Sequence, residues 1–84
     1  TTVLAELAGL LRRAGRAVEA LPYAEERLRL HEASHGRNQV GTIVAMDELG
    51  ATYLAAGQVE RALELHEGAA LRSEALLHAV LGQA

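Results

Sequence analysis

Cysteine is absent from the 84 residues, which excludes a disulfide framework and a thiolate metal site. Tryptophan and phenylalanine are absent too, and Tyr23 and Tyr53 are the only aromatics. A core must therefore come from Leu, Val, Ile and Ala, a composition that suits closely packed helices. Lysine is missing: all eight basic residues are Arg. The bias toward Arg, Ala, Gly and Leu fits a GC-rich bacterial gene. No apolar run reaches the roughly 20 residues of a membrane span, and the N-terminus lacks the basic-then-apolar layout of a signal peptide. A reducing cytoplasm is the expected location, with no membrane partner. A net charge of −3 argues against a nucleic-acid partner, which asks for a basic face. The length bounds the chain to one small domain.

What is present is helical periodicity broken by glycine. Thr1 and Thr2 can cap a helix from about Val3 to Ala14, with Leu4, Leu7, Ala8 and Leu11 on one face. Gly15 stops it. A second helix is expected from about Ala17 to Ser34, with Ala20, Leu21, Ala24 and Leu28 buried. Pro22 falls within its first two turns, where it is tolerated. His35 to Asn38 read as a loop, with Gly36 as stop and Asn38 as cap. A third helix spans about Val40 to Ala56, burying Met46, Leu49, Gly50 and Tyr53, and Gly57 ends it. A fourth runs from Val59 toward Gly82, with Ala62, Leu63, Ala69 and Ala70 on its inner face. Its tail is apolar at Leu71, Leu76, Leu77, Val80 and Leu81.

The chain repeats itself. Shifted by 42 residues, it matches at nine pairs: Glu6/Glu48, Leu7/Leu49, Ala14/Ala56, Gly15/Gly57, Ala20/Ala62, Leu21/Leu63, Glu25/Glu67, Glu32/Glu74 and Ala33/Ala75. The count matters less than the placement, because turn glycines and core residues coincide without a gap. The expected fold is all-α: two stacked antiparallel helix-turn-helix hairpins, a short α-solenoid. Residues 1–84 form one helical-repeat domain, with 1–42 as repeat one and 43–84 as repeat two.

The spacing Leu7, Ala8, Leu11, Gly15, Ala20, again as Leu49, Gly50, Tyr53, Gly57, Ala62, resembles the tetratricopeptide repeat. The ordinary repeat has about 34 residues. The 42-residue period is similar to the longer repeat of kinesin light chains and bacterial relatives, which often carry Pro and Gly at the places of Pro22 and Gly36. The chain departs from the family at Arg27 and His66, where a small residue and an aromatic or aliphatic one are usual, and at Gln39-Val40, the place of a His-Pro.

The resemblance implies a groove lined by the first helix of each hairpin. Its positions fall on Thr2, Ala5, Gly9, Arg12 and Arg13, then Val44, Asp47, Ala51, Leu54 and Ala55. Of these, Ala5, Gly9, Arg12, Arg13, Asp47, Ala51 and Leu54 are the candidate partner-binding residues. Gly9 and Ala51 leave room for a partner backbone, and Arg12 and Arg13 can fork onto a carboxylate. Arg16 completes a basic cluster at the end of the first helix.

One segment imitates catalytic chemistry. His31-Glu32-Ala33-Ser34-His35 matches H-E-x-x-H, which on a helix can share Zn²⁺ between two His with Glu as general base. The next histidine is His66, far from the extended form of the motif, and a third ligand would have to come from Glu60 or Glu64 on another hairpin. A histidine near a helix C-terminus is already accounted for by the helix dipole. No metal, cofactor or catalytic residue is expected, and the chain reads as a non-enzyme.

The expected function is a scaffold that binds a peptide or protein segment in the groove. The alternative is a structural spacer or self-association segment of a longer bacterial regulatory protein. Stacked repeats need neighbours on both sides and polar end caps. The apolar tail is therefore expected to be covered by further repeats of a parent chain or by a second copy.

Overall fold

The computed structural model describes residues 2–35 and 40–82, and four helices account for nearly all of them. They are α1 (Thr2–Arg13), α2 (Ala17–His35), α3 (Val40–Ala55) and α4 (Val59–Gly82). Among the described residues there is no strand. The cap at Thr1, the stop at Gly36 and the cap at Asn38 lie outside them.

Two short turns set the architecture, and they are built alike. Gly15 and Gly57 have φ of 80° and 83°, the left-handed region that costs glycine little. Around Gly15, the Arg16 N–H donates to Leu11 C=O at 2.8 Å and the Gly15 N–H to Arg12 C=O at 3.1 Å. Around Gly57, Gln58 donates to Tyr53 at 2.8 Å and Gly57 to Leu54 at 3.0 Å. This is the paired 6→1 and 5→2 bonding of a Schellman turn. It takes Ala14 and Ala56 out of the helices, so α1 and α3 end one residue earlier than the periodicity suggests. Arg16 and Gln58 then accept the first bonds of α2 and α4, from Ala20 and Ala62.

Packing runs from each helix to the next: α1 on α2, α2 on α3 and α3 on α4, with a slighter contact between α1 and α3. Because α3 has neighbours on two sides, it is buried on most of its surface, at Ile43, Ala45, Met46, Leu49, Gly50 and Tyr53 among others. One core cluster joins Ala8, Ala20, Leu21, Ala24, Leu49, Tyr53 and Ala62, and a second joins Ile43, Met46 and Ala69. Side chains press into glycine notches around α3. A Cβ on Gly50 would lie 2.9 Å from His66 Nε2, one on Gly41 3.1 Å from His31, and one on Gly68 3.1 Å from Met46. Tyr53 ties three helices together: its buried ring lies under Arg61 of α4, 5.8 Å away, and its hydroxyl donates to Glu25 of α2 at 3.2 Å. Pro22 sits inside an uninterrupted α2, at the cost of one hydrogen bond.

Several faces differ from the sequence reading. Leu63 and Ala70 are exposed, although their counterparts Leu21 and Leu28 are buried or partly so. The cause is position. Leu21 is covered by α3, and nothing described here lies beyond α4 to cover Leu63. Leu7 is also more than a third exposed, in a surface hollow that it shares with Leu11 and with Pro22 and Tyr23 of α2. In the tail, Leu71, Leu77, Val80 and Leu81 are exposed, whereas Leu76 packs partly onto the Ile43–Met46–Ala69 cluster.

Candidate functional site

A cleft of about 300 Å³ opens between α1 and α3, with α2 as its floor. The α1 wall presents Thr2, Ala5, Gly9, Arg12 and Arg13, all five of the groove positions that the sequence places on this helix. They share one wall because their spacing of three or four residues follows the helical turn. Gly9 leaves that wall low: a Cβ there would meet nothing closer than Arg13 Nη2 at 4.0 Å. Ala24 and Arg27 of α2 form the floor, and Ala45, Glu48 and Thr52 of α3 form the far wall.

The α3 groove positions are placed elsewhere. Asp47, Ala51 and Leu54 do not line this cleft, nor do Val44 and Ala55. Ala55 instead borders a separate hollow with Arg12 and the α1–α2 turn. Val44, Leu54 and Ala55 are exposed and Ala51 is half-buried. Asp47 reaches α4 instead, with Oδ1 3.1 Å from His66 Nδ1. The residues that α3 gives to the cleft are Ala45, Glu48 and Thr52, an i, i+3, i+7 stripe one residue further round. Their burial on the α2 side of α3 was the signal that the shift by 42 could not supply.

Charge in the cleft is organised around Glu48. Arg27, its side chain only 14% exposed, forms an ion pair with the Glu48 carboxylate across the α2–α3 interface. The Arg27 Nε–H is buried without an acceptor. Arg12 Nη1 donates to the Glu48 backbone carbonyl at 3.3 Å, and Thr52 Oγ1 donates to the same carbonyl at 2.8 Å. Arg13, exposed at the rim, makes no ion pair among the described residues. Arg16 is outside the cleft and is occupied. Its guanidinium pairs with Glu19 on the next turn, and that hydrogen bond lowers the Glu19 carboxyl below its ordinary range and raises the Arg16 guanidinium. Glu26 is lowered in the same way by its hydrogen bond to Arg29.

The H-E-x-x-H segment ends α2. His31 lies against Gly41 of α3, with ring atoms 3.1 Å from where a Cβ would stand. Among the described residues, no group of three or more His, Asp and Glu side chains is placed to hold a metal ion. No helix among them is long and apolar enough to cross a membrane.

Small side chains line the cleft, and the Arg12 and Arg13 guanidinium groups stand at one end of it. Comparison with curated proteins and with solved structures finds no match to this chain. A family model described as tetratricopeptide repeat matches residues 1–70. That span takes in the cleft, both Schellman turns and the α1–α2–α3 core, and the chain belongs to the tetratricopeptide repeat family.

Proposed function

We propose that this chain is a protein-interaction scaffold whose α1–α3 cleft takes a peptide segment carrying a carboxylate. Family membership supports the general role, since tetratricopeptide repeats mediate protein–protein contacts. The observation that carries the finer reading is Arg13. Among the described residues it stands exposed at the rim without an acid partner, beside Arg12, whose one side-chain bond there is a 3.3 Å contact to a carbonyl. Two guanidinium groups in successive positions can fork onto one carboxylate. Ala5, Gly9 and Ala45 leave space alongside for the peptide backbone. Asp47, Ala51 and Leu54 would extend the same surface once a further helix stood beside α3. The reading has no catalytic step and no cofactor, and residues 1–84 act as one domain of two 42-residue repeats of the long subtype. The lack of cysteine supports a reducing, cytoplasmic setting.

Fluorescence anisotropy with two labelled peptide pools tests the proposal, one rich in Asp and Glu and one with Lys in their place. Binding of the acidic pool alone is expected, weakening with salt and lost in Arg12→Ala and Arg13→Ala but kept in Arg16→Ala. Equal binding of both pools, or indifference to all three substitutions, would reject it. The alternative role, self-association, has separate support in the two open ends of the molecule.

A further inference from the structure

The interface between the two hairpins has two halves, and each half reappears, uncovered, at one end of the molecule. One half belongs to α2. Ala17 and Leu21 are 7% and 8% exposed, whereas Val59 and Leu63, 42 residues on in α4, are 57% and 56% exposed. The other half belongs to α3. Ala45, Leu49 and Thr52 are buried, and their counterparts in α1, Val3, Leu7 and Leu10, are exposed large apolar side chains.

The open faces are also more apolar than the buried ones they copy. Val59 stands where α2 has Ala17, Val3 where α3 has Ala45, and Leu10 where α3 has Thr52. An end that faced water permanently would carry the opposite pattern, because solenoid ends need polar caps. The two helices that carry these faces are opposite in net charge. Helix α1 holds Glu6 against Arg12 and Arg13, a net +1, and α4 holds Glu60, Glu64, Glu67 and Glu74 against Arg61 and Arg72, a net −2.

We propose that the chain associates with a second copy of itself, head to tail. Val3, Leu7 and Leu10 of one copy's α1 dock on Val59 and Leu63 of the other's α4, in the manner of α3 on α2. The contact is heterologous, so each added copy leaves one face of each kind open and the stack does not close at two. Two stacked copies present four hairpins in a row, beyond the roughly three such units usually need for stability. The inference does not depend on the cleft holding a peptide.

Light scattering and sedimentation of wild type, Leu63→Glu, Leu10→Glu and their equimolar mixture test it. Wild-type mass should climb with concentration past the dimer. Each variant alone should be monomeric, and the mixture should form a one-to-one dimer and nothing larger, because each variant keeps the face the other has lost. A two-fold dimer through α4 alone predicts otherwise, with Leu10→Glu still dimeric and the mixture no better than its parts. That result, or a mixture that stays monomeric with both variants helical by circular dichroism, overturns the proposal. A readout without substitution guards against variants that unfold: the wild-type Tm should rise over a roughly hundredfold increase in concentration. A monomeric wild type whose Tm ignores dilution also overturns it, and leaves these faces to some other occupant.

Discussion

The two hairpins use the same residues at the same places and bury them differently. Leu21 and Leu63 are both leucine in the second helix of a hairpin, three residues before the small or ringed side chains Ala24 and His66 that face the first helix's Ala8 and Gly50. Yet Leu21 is core and Leu63 is surface. The turns before them agree to within a few degrees of φ and about a tenth of an ångström in hydrogen-bond length. What differs is the neighbour. Helix α2 lies between α1 and α3, and α4 has a partner on one side. In a stacked-hairpin chain local structure is thus a property of the repeat, and burial is a property of its place in the stack.

The sharpest way to break this comparison is to truncate both leucines, in solutions dilute enough to keep the chain monomeric. Leu21→Ala should cost about 2–4 kcal/mol, as buried leucines do, and Leu63→Ala less than about 0.5 kcal/mol, as surface positions do. Urea unfolding gives both values, and equal losses would mean that place in the stack does not decide burial.

A smaller contrast lies within the glycines. Gly50→Leu drives a side chain into His66 and should destabilise by about 1–3 kcal/mol. Gly9→Ala projects into open space, so it should be neutral or stabilise by up to about 1 kcal/mol, the helix-propensity gain. Thermal melts that shift equally for the two would show that Gly9 and Gly50 do not face different surroundings.

The ion pairs differ in the same sense. Glu48→Ala strips the partner from Arg27, mostly buried on the cleft floor, and should cost about 1 kcal/mol or more. Asp47→Ala removes an exposed contact to His66 and should cost less than about 0.5 kcal/mol. Matching losses in denaturant would place both pairs in the same environment.

The smallest effect concerns α2's surface pairs, Arg16–Glu19 and Glu26–Arg29, whose places in the second hairpin are taken by Gln58–Arg61 and Gly68–Leu71. Both carboxyls are held below their ordinary range in the folded chain. Their contribution is therefore present above the unfolded-state value and lost as pH falls through the lowered one. Both pairs lie at the surface and are screened by solvent. Wild type should melt at or barely above Glu19→Gln/Glu26→Gln at neutral pH, with the gap closing in acid. A gap that widened in acid would reverse the sign.

Much of this fold was legible because helical periodicity and left-handed glycines are local. Gly15 and Gly57 mark the turns, and Ala20, Leu21, Ala24, Met46, Leu49 and Tyr53 mark the core, without knowledge of what lies beyond. Leu63 and Ala70 were misjudged as inner residues because a 42-residue register says which face a side chain is on, and not whether anything covers it. The residues that line α1's side of the cleft are those that the family resemblance pointed to, and helical spacing puts them on one face. The Arg27–Glu48 pair was not, since it joins α2 to α3 across 21 residues. Its one trace was Arg27, a charge where the family usually has a small side chain.

The groove itself is tested most directly by amide chemical shifts during titration with an acidic peptide. Shifts should gather at Ala5, Gly9, Arg12 and Arg13 on α1 and at Ala45 and Glu48 on α3, and vanish in Arg13→Ala. Shifts confined to Val59, Leu63 and the tail of α4, with the cleft amides unmoved, would contradict a binding site between α1 and α3.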